Sequence, residues 1–173
     1  MDGVLRKVAA RALSLAGALI LAWAFAAPGA GAAEIGTAAD LSADLRQARE
    51  RGVPLLVLFS LPGCGYCERV RREFLHPLQS SPEWRDRVIL RQVDLNSPLA
   101  LADFAGRMTT HGKFATEQQI RLAPTVKVFD PAGREAAEPL VGLLTPELYG
   151  LYLDRALEQG LARARPAAAW GPR

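Results

Sequence analysis

Cysteine is scarce in this chain, with two residues in 173. That excludes a small scaffold stapled by several disulfides. It also leaves a structural zinc site short of ligands, because the only two histidines, His76 and His111, do not stand at ligand spacing with the pair. Aromatic residues make up 7% of the chain, and nowhere do they interleave with a basic cluster, which excludes a nucleic-acid surface. The formal charge of +3 is confined to the ends: Arg6, Lys7 and Arg11 precede the folded part, and Arg163, Arg165 and Arg173 follow it. Residues 33–162 are about neutral. No internal repeat is visible, and no run after Ala27 is apolar and long enough to span a bilayer. What is present, 50% hydrophobic and 23% charged residues, fits one ordinary globular domain.

The start reads as a targeting segment. Arg6, Lys7 and Arg11 are followed by an uncharged, mostly apolar stretch from Ala12 to Ala27, then Pro28 and the small residues Gly29 to Ala33. This is the layout of a secretory signal peptide, with cleavage expected after Ala32 or Ala33. The apolar stretch falls short of the roughly 20 residues of a membrane anchor. Residues 1–32 are therefore expected to direct export, most simply to a bacterial periplasm, with a domain at 33–161 and a disordered tail at 162–173.

Periodicity predicts the elements of that domain. Leu41, Leu45 and Ala48 fall at helical spacing between Asp40 and Arg51, with Gly52 as a stop. Val53–Ser60 is a continuous apolar run without alternation, as in a central strand covered on both faces. A polar helix follows to about Leu75, where His76-Pro77 ends or kinks it. Ser81-Pro82-Glu83 reads as a short helix start carrying Trp84. Val88–Asp94 reads as a strand, and 96–109 is hard to read apart from a turn at Ala105-Gly106. A helix is expected over 110–121 and a strand over Thr125–Asp130. Pro131-Ala132-Gly133 then turns the chain toward an antiparallel partner near Pro139–Gly142. The last helix opens at Thr145-Pro146-Glu147, with Leu148, Leu151, Tyr152 and Ala156 along its inner face and Gly160 as its stop. Helices alternating with strands predict an α/β fold with helices on both faces of a central mixed sheet.

Cys64 and Cys67 stand three apart, at the junction of the buried strand and a helix. Free backbone N–H groups at a helix start favour a thiolate, so Cys64 is the expected nucleophile. Cys67 lies on the apolar face with Val70 and Phe74 and is the expected buried, resolving partner. Disulfide exchange is the favoured chemistry. Two thiolates can also hold Cu(I), so a copper chaperone is the alternative. A purely structural disulfide would close too short a loop to remove much chain entropy. Arg69, Arg71 and Arg72 read as a solvated face, with weak support of the Cys64 thiolate as the alternative, His76 and His111 as structural or solvent-facing, and Trp84, Phe104 and Phe114 as packing residues.

The segments L-L-V-L-F-S-L-P-G-C-G-Y-C-E-R-V and L-A-P-T-V-K-V-F-D-P-A-G-R-E together resemble the thioredoxin fold, and specifically the exported thioredoxin-like thiol-disulfide oxidoreductases of bacteria, over about residues 40–160. The resemblance implies a thioredoxin fold with an extra N-terminal helix and an insertion, 96–109, before a cis Ala123–Pro124 bond. It implies that Gly65, Tyr66, Ala123, Pro124 and Thr125 meet the substrate, and that no cofactor or metal is needed. Expected partners are disulfides or thiols of exported proteins and a membrane dithiol electron donor, with the chain acting as a monomer and as reductant rather than oxidant. Two departures stand out. Gly65-Tyr66 replaces the Gly-Pro of reducing thioredoxins, with Gly63 where an aromatic usually precedes the first cysteine; the pair is similar to that of periplasmic disulfide isomerases. Leu58 stands where the family usually buries an acid; Glu68 reads first as an ordinary solvated helix residue and second as a nearby candidate to accept the Cys67 proton.

Overall fold

The computed structural model describes residues 35–165. The expected signal peptide, its cleavage site and the tail beyond 165 lie outside the described residues.

Helix α1, Leu41–Arg51, starts where the Asp40 carboxylate accepts from the Ala43 amide at 2.8 Å and stops at Gly52, whose φ of 63° suits glycine. Leu41, Leu45 and Ala48 face inward as expected. Strand β1, Leu55–Ser60, is buried at every residue. It runs parallel to β2, Ile89–Asp94, and antiparallel to β5, Thr125–Phe129, which pairs in turn with the short β6, Leu140–Val141. The sheet order β2-β1-β5-β6 is that of a mixed sheet. Complete burial of β1 and β5 requires cover on both faces, which the helices supply. Arg91 on β2 grips the buried Asp44 of α1 through two bonds of 3.0 and 2.6 Å, fixing that helix against the sheet.

The helix after β1 does not stop at Leu75. Helix α2, Gly65–Val70, passes through a π turn at Arg71–Leu75 into α3, His76–Ser80. Pro77 has no N–H, and its ring would crowd the carbonyl four residues back. The wide turn, in which His76 N–H reaches Arg71 C=O, opens that crowding. The extra residue also shifts the inner face: after Cys67 and Val70 it is Leu75 and Leu78 that are buried, while Phe74 packs on Tyr149 with ring centroids 4.6 Å apart. The expected helix at Ser81 is a set of turns, although the Ser81 hydroxyl does accept from the Glu83 amide.

The segment 96–109 forms most of a hairpin, β3 (Ala100–Ala102) with β4 (Met108–Thr110), turning at Asp103–Arg107. It is stitched to the chain before α1 by the Asp40↔Ala102 bridge, and that chain is stitched to β2 by Thr37↔Gln92. The hairpin therefore lies on the β2 side of the sheet. Helix α4, His111–Glu117, ends four residues sooner than expected, with Gln119 left-handed at φ 58°.

Helix α5, Pro146–Ala164, runs past Gly160, and its buried face is not the expected one. Leu148, Leu151 and Tyr152 are exposed; Tyr149, Leu153, Ala156, Leu157, Gly160, Leu161 and Ala164 are buried. Apart from Glu147 the first two turns carry no charge and place large apolar residues on more than one side, so periodicity does not choose a face there. Close approach chooses it: a Cβ on Gly160 would sit 2.7 Å from Val128 Cγ1 and 2.8 Å from Pro54 Cβ. Gly160 is thus a contact point rather than a stop, and Ala162–Ala164, expected in the tail, are helical. Among the described residues no helix is long and apolar enough to cross a membrane.

Candidate functional site

Strand β1 delivers the chain to the site. Beyond Ser60, Gly63 adopts φ 70°, and the Cys64 amide donates to Leu61 C=O at 3.3 Å, which turns the chain into α2. Cys64 has extended backbone and caps the helix itself: its Sγ accepts from the Cys67 amide at 3.1 Å. The two cysteines are joined in a disulfide with Cα atoms 5.2 Å apart. Cys64 is half-buried, Gly65 and Tyr66 are exposed, and Cys67 is fully buried. One sulfur is reachable from solvent and its partner lies one turn below.

The second limb comes from β5. Pairing of Phe59 with Thr125 places Ala123 and Pro124 at the Ser60 end of β1, the end from which the cysteine loop departs. The Ala123–Pro124 peptide is cis. Pro124 is buried and its carbonyl accepts from Gly142 N at 2.7 Å; the Thr125 hydroxyl is also internal, donating to Leu122 C=O at 2.7 Å. Ala123 is half-buried, and its backbone makes no hydrogen bond among the described residues. Of the three, Ala123 is the one that presents free backbone, while the Thr125 side chain is committed to the fold.

No acid underlies the pair on β1, since Leu58 is completely buried in apolar contact. Glu68 is exposed and bound to Arg71, whose hydrogen bond holds the carboxyl below the usual carboxylate range despite some desolvation. Glu68 is thus an ion-paired surface carboxylate. Arg71, expected on a solvated face with Arg69 and Arg72, is largely buried, its side chain only 14% exposed. Its Nη1 donates to Ser60 Oγ at 3.0 Å and to Gln92 Oε1 at 2.6 Å; Gln92 Nε2 in turn donates to Asp94 Oδ1 at 2.8 Å. Sequence reasoning missed this cluster of Ser60, Arg71, Gln92 and Asp94. Its visible signal is the pair of polar residues Gln92 and Asp94 on either side of the buried Val93 in β2.

The histidines have other work. His111 is fully buried, its Nδ1 accepting from the Asp94 amide at 3.1 Å and its Nε2 donating to Ala38 C=O at 2.8 Å, so it joins α4 to β2 and the N-terminal segment. His76 lies on α3 with Nδ1 unpartnered among the described residues. Among those residues no three His, Cys, Asp or Glu side chains group as they would around a metal ion.

Solved structures with a similar fold include a DsbH oxidoreductase, 15% identical, covering 73% of this chain and 88% of its own at a TM-score of 0.51. The periplasmic thioredoxin SoxS from Paracoccus pantotrophus is 22% identical, with 61% and 97% covered and a TM-score of 0.41. Trxlp from Edwardsiella tarda is 23% identical, with 64% and 91% covered and a TM-score of 0.47. No curated protein matches the chain. The family model for the thioredoxin-like domain matches residues 41–157, a span that holds both cysteines and the Ala123–Pro124 turn, and the chain belongs to that family.

Proposed function

We propose that this thioredoxin-like oxidoreductase is exported to the periplasm and works there as a reductant of protein or small-molecule disulfides. The observation that carries the reading is the asymmetry of the pair: Cys64 is reachable and its sulfur takes a helix N–H, while Cys67 is buried one turn below. In the dithiol form the Cys64 thiolate keeps that N–H, which favours its charge and makes it the nucleophile. It attacks one sulfur of a substrate disulfide; a mixed disulfide forms, and the displaced substrate thiolate takes up a proton. Cys67, as thiolate, then attacks Cys64 Sγ, the mixed disulfide breaks, and the second substrate thiol leaves. The substrate gains two electrons, the chain returns to the Cys64–Cys67 disulfide, and a membrane dithiol donor re-reduces it.

Gly65 and Tyr66 form the exposed rim beside Cys64, and the free backbone of Ala123, fixed by Pro124 and Thr125, supplies an edge against which an extended substrate segment pairs. The N-terminal basic and apolar pattern supports export, and an isolated dithiol in an oxidising compartment needs a donor to remain a reductant.

Replacing Cys67 with Ser is expected to trap mixed disulfides through Cys64, visible as reductant-sensitive adducts, while Cys64→Ser traps none. Adducts through Cys67 alone would reverse the roles. Stoichiometric Cu(I) retention without exchange would replace the reading with copper handling. A reduction potential near −270 mV, rather than near −120 mV, is expected for a reductant.

A further inference from the structure

Residues that alternate along a strand share a face, and register partners in adjacent strands share it too. Leu58 and Ser60 on β1 therefore share a face with their partners Gln92 and Asp94 on β2. Helix α2 covers that face, because Arg71, immediately after it, reaches down to both Ser60 and Gln92. The same helix carries Cys67, and Arg71 is its neighbour one turn on: the Arg71 amide donates to Cys67 C=O. Side chains four apart on a helix lie side by side, and the later one leans back over the earlier turn. The guanidinium is pinned on three sides, by Ser60, by Gln92 and by the Glu68 carboxylate. Leu58 contributes no charge beneath the pair. The ionised groups tied to the Cys67 turn are a fixed, mostly buried cation and its more exposed counter-ion, with the Asp94 carboxylate linked to that cation through Gln92.

We propose that Arg71 is a positioning residue for disulfide exchange: held by Ser60, Gln92 and Glu68 beside the Cys67 turn, its charge favours the ionised dithiol over the disulfide and thereby sets the redox equilibrium of the pair. Glu68 acts against it. Partial neutralisation by that exposed carboxylate keeps the effect of Arg71 modest, and removing Glu68 releases it. The inference rests on the thiol-disulfide reading of the site and assigns the poise of the reaction to a group outside the cysteine motif.

The test is the equilibrium of the full-length chain with mixtures of reduced and oxidised glutathione, read as the fraction of Cys64–Cys67 disulfide by thiol alkylation. Arg71→Gln keeps side-chain hydrogen-bonding atoms and removes the charge; it is expected to move the equilibrium toward the disulfide about three- to tenfold, equivalent to roughly half to one pKa unit of lost thiolate stabilisation. Arg71→Lys is expected to restore most of the wild-type equilibrium. Glu68→Gln is expected to move it the other way, toward the dithiol, by about two- to threefold. A purely structural arginine would not produce shifts of opposite sign, nor rescue by lysine. An unmoved equilibrium in a folded Arg71→Gln protein, or the same direction for both charge removals, overturns the proposal. If Arg71→Gln does not fold, Glu68→Gln on its exposed side chain carries the test, and no shift there overturns it. Failure of the wild type to exchange with glutathione at all defeats the exchange reading and this inference with it; normal wild-type exchange with unmoved variants defeats this inference alone.

Discussion

At the Leu55 end of the central strand, a buried carboxylate finds its partners within five consecutive residues; at the Ser60 end, a largely buried guanidinium draws partners from three elements. The turn at the first end, D-P-A-G-R at 130–134, follows Phe129, the register partner of Leu55, and it recurs as D-F-A-G-R at 103–107 in the peripheral hairpin. Asp130 Oδ1 accepts from the amides of Ala132 and Arg134 at 2.8 and 3.1 Å, and Oδ2 from Arg134 Nε at 2.9 Å. Asp103 repeats this with Ala105 and Arg107 at 2.8, 2.9 and 2.8 Å. Gly133 and Gly106, at φ 77° and 79°, close both loops. The turns touch through Phe104, whose ring lies 4.8 Å from that of Phe129. The carboxylate bonds of such turns run within the five residues themselves. The Ser60 cluster exists only once β1, β2 and the cysteine helix have assembled, so its charge can be placed where local sequence would not put it, one helical turn on from Cys67.

Breaking the Leu55 end should cost stability and spare chemistry. The largest effect is expected from Gly160→Ala, because the added Cβ meets Val128 and Pro54 at 2.7 and 2.8 Å, and the proline is rigid. Overpacking of this kind costs roughly 1–3 kcal/mol, against a helix-propensity gain of up to about 1 kcal/mol for replacing glycine. A net loss of about 1–2 kcal/mol in urea unfolding is expected, with exchange by the folded protein unchanged. A variant as stable as wild type would mean that α5 slides freely over β5.

Next in size is Asp130→Asn, at about 1–2 kcal/mol near neutral pH. Burial alone would raise the Asp130 pKa, but the Arg134 amide and guanidinium and the Ala132 amide outweigh it and hold the carboxyl below its ordinary value. A depressed folded-state pKa gives stability that is present above the unfolded value, near 4, and is lost as pH falls through the folded value. The gap between wild type and Asp130→Asn should therefore hold from pH 7 to about 5 and narrow below about 4. Asp103, depressed in the same direction for the same causes, sits in the peripheral hairpin, and Asp103→Asn should cost less while following the same pH course. Unfolding midpoints at pH 7 and pH 3 decide this; a gap that survives at pH 3 would show that the turns use shape and not charge.

The same contrast explains what could be read in the sequence. Both turns were visible as Ala105-Gly106 and Pro131-Ala132-Gly133, since their bonds run between near neighbours. The cysteine pair and the apolar β1 were visible because strand, loop and helix follow one another along the chain. Arg71 was not, because its burial depends on Gln92, twenty-one residues away in sequence. The face of α5 failed for a related reason: its first turns offer two apolar faces, and a glycine read as a stop is what selects between them.

The smallest expected effect lies at the Ser60 end. Gln119 closes α4 in a left-handed conformation, with its amide on Thr116 C=O at 2.9 Å and the Ile120 amide on Ala115 C=O at 3.0 Å, a helix-ending arrangement that glycine normally occupies. The chain then runs four residues to the Ala123–Pro124 peptide. If Gln119 only ends the helix, Gln119→Gly removes the Cβ penalty, raises stability by about 0.5–1 kcal/mol, and leaves kcat/KM for disulfide exchange unchanged. The gain is bounded by the greater freedom glycine gives the unfolded chain. A fall in kcat/KM alongside a rise in the urea midpoint would instead show that a side chain at 119 helps fix the Ala123 edge, extending to this loop the dependence on distant partners that marks Arg71.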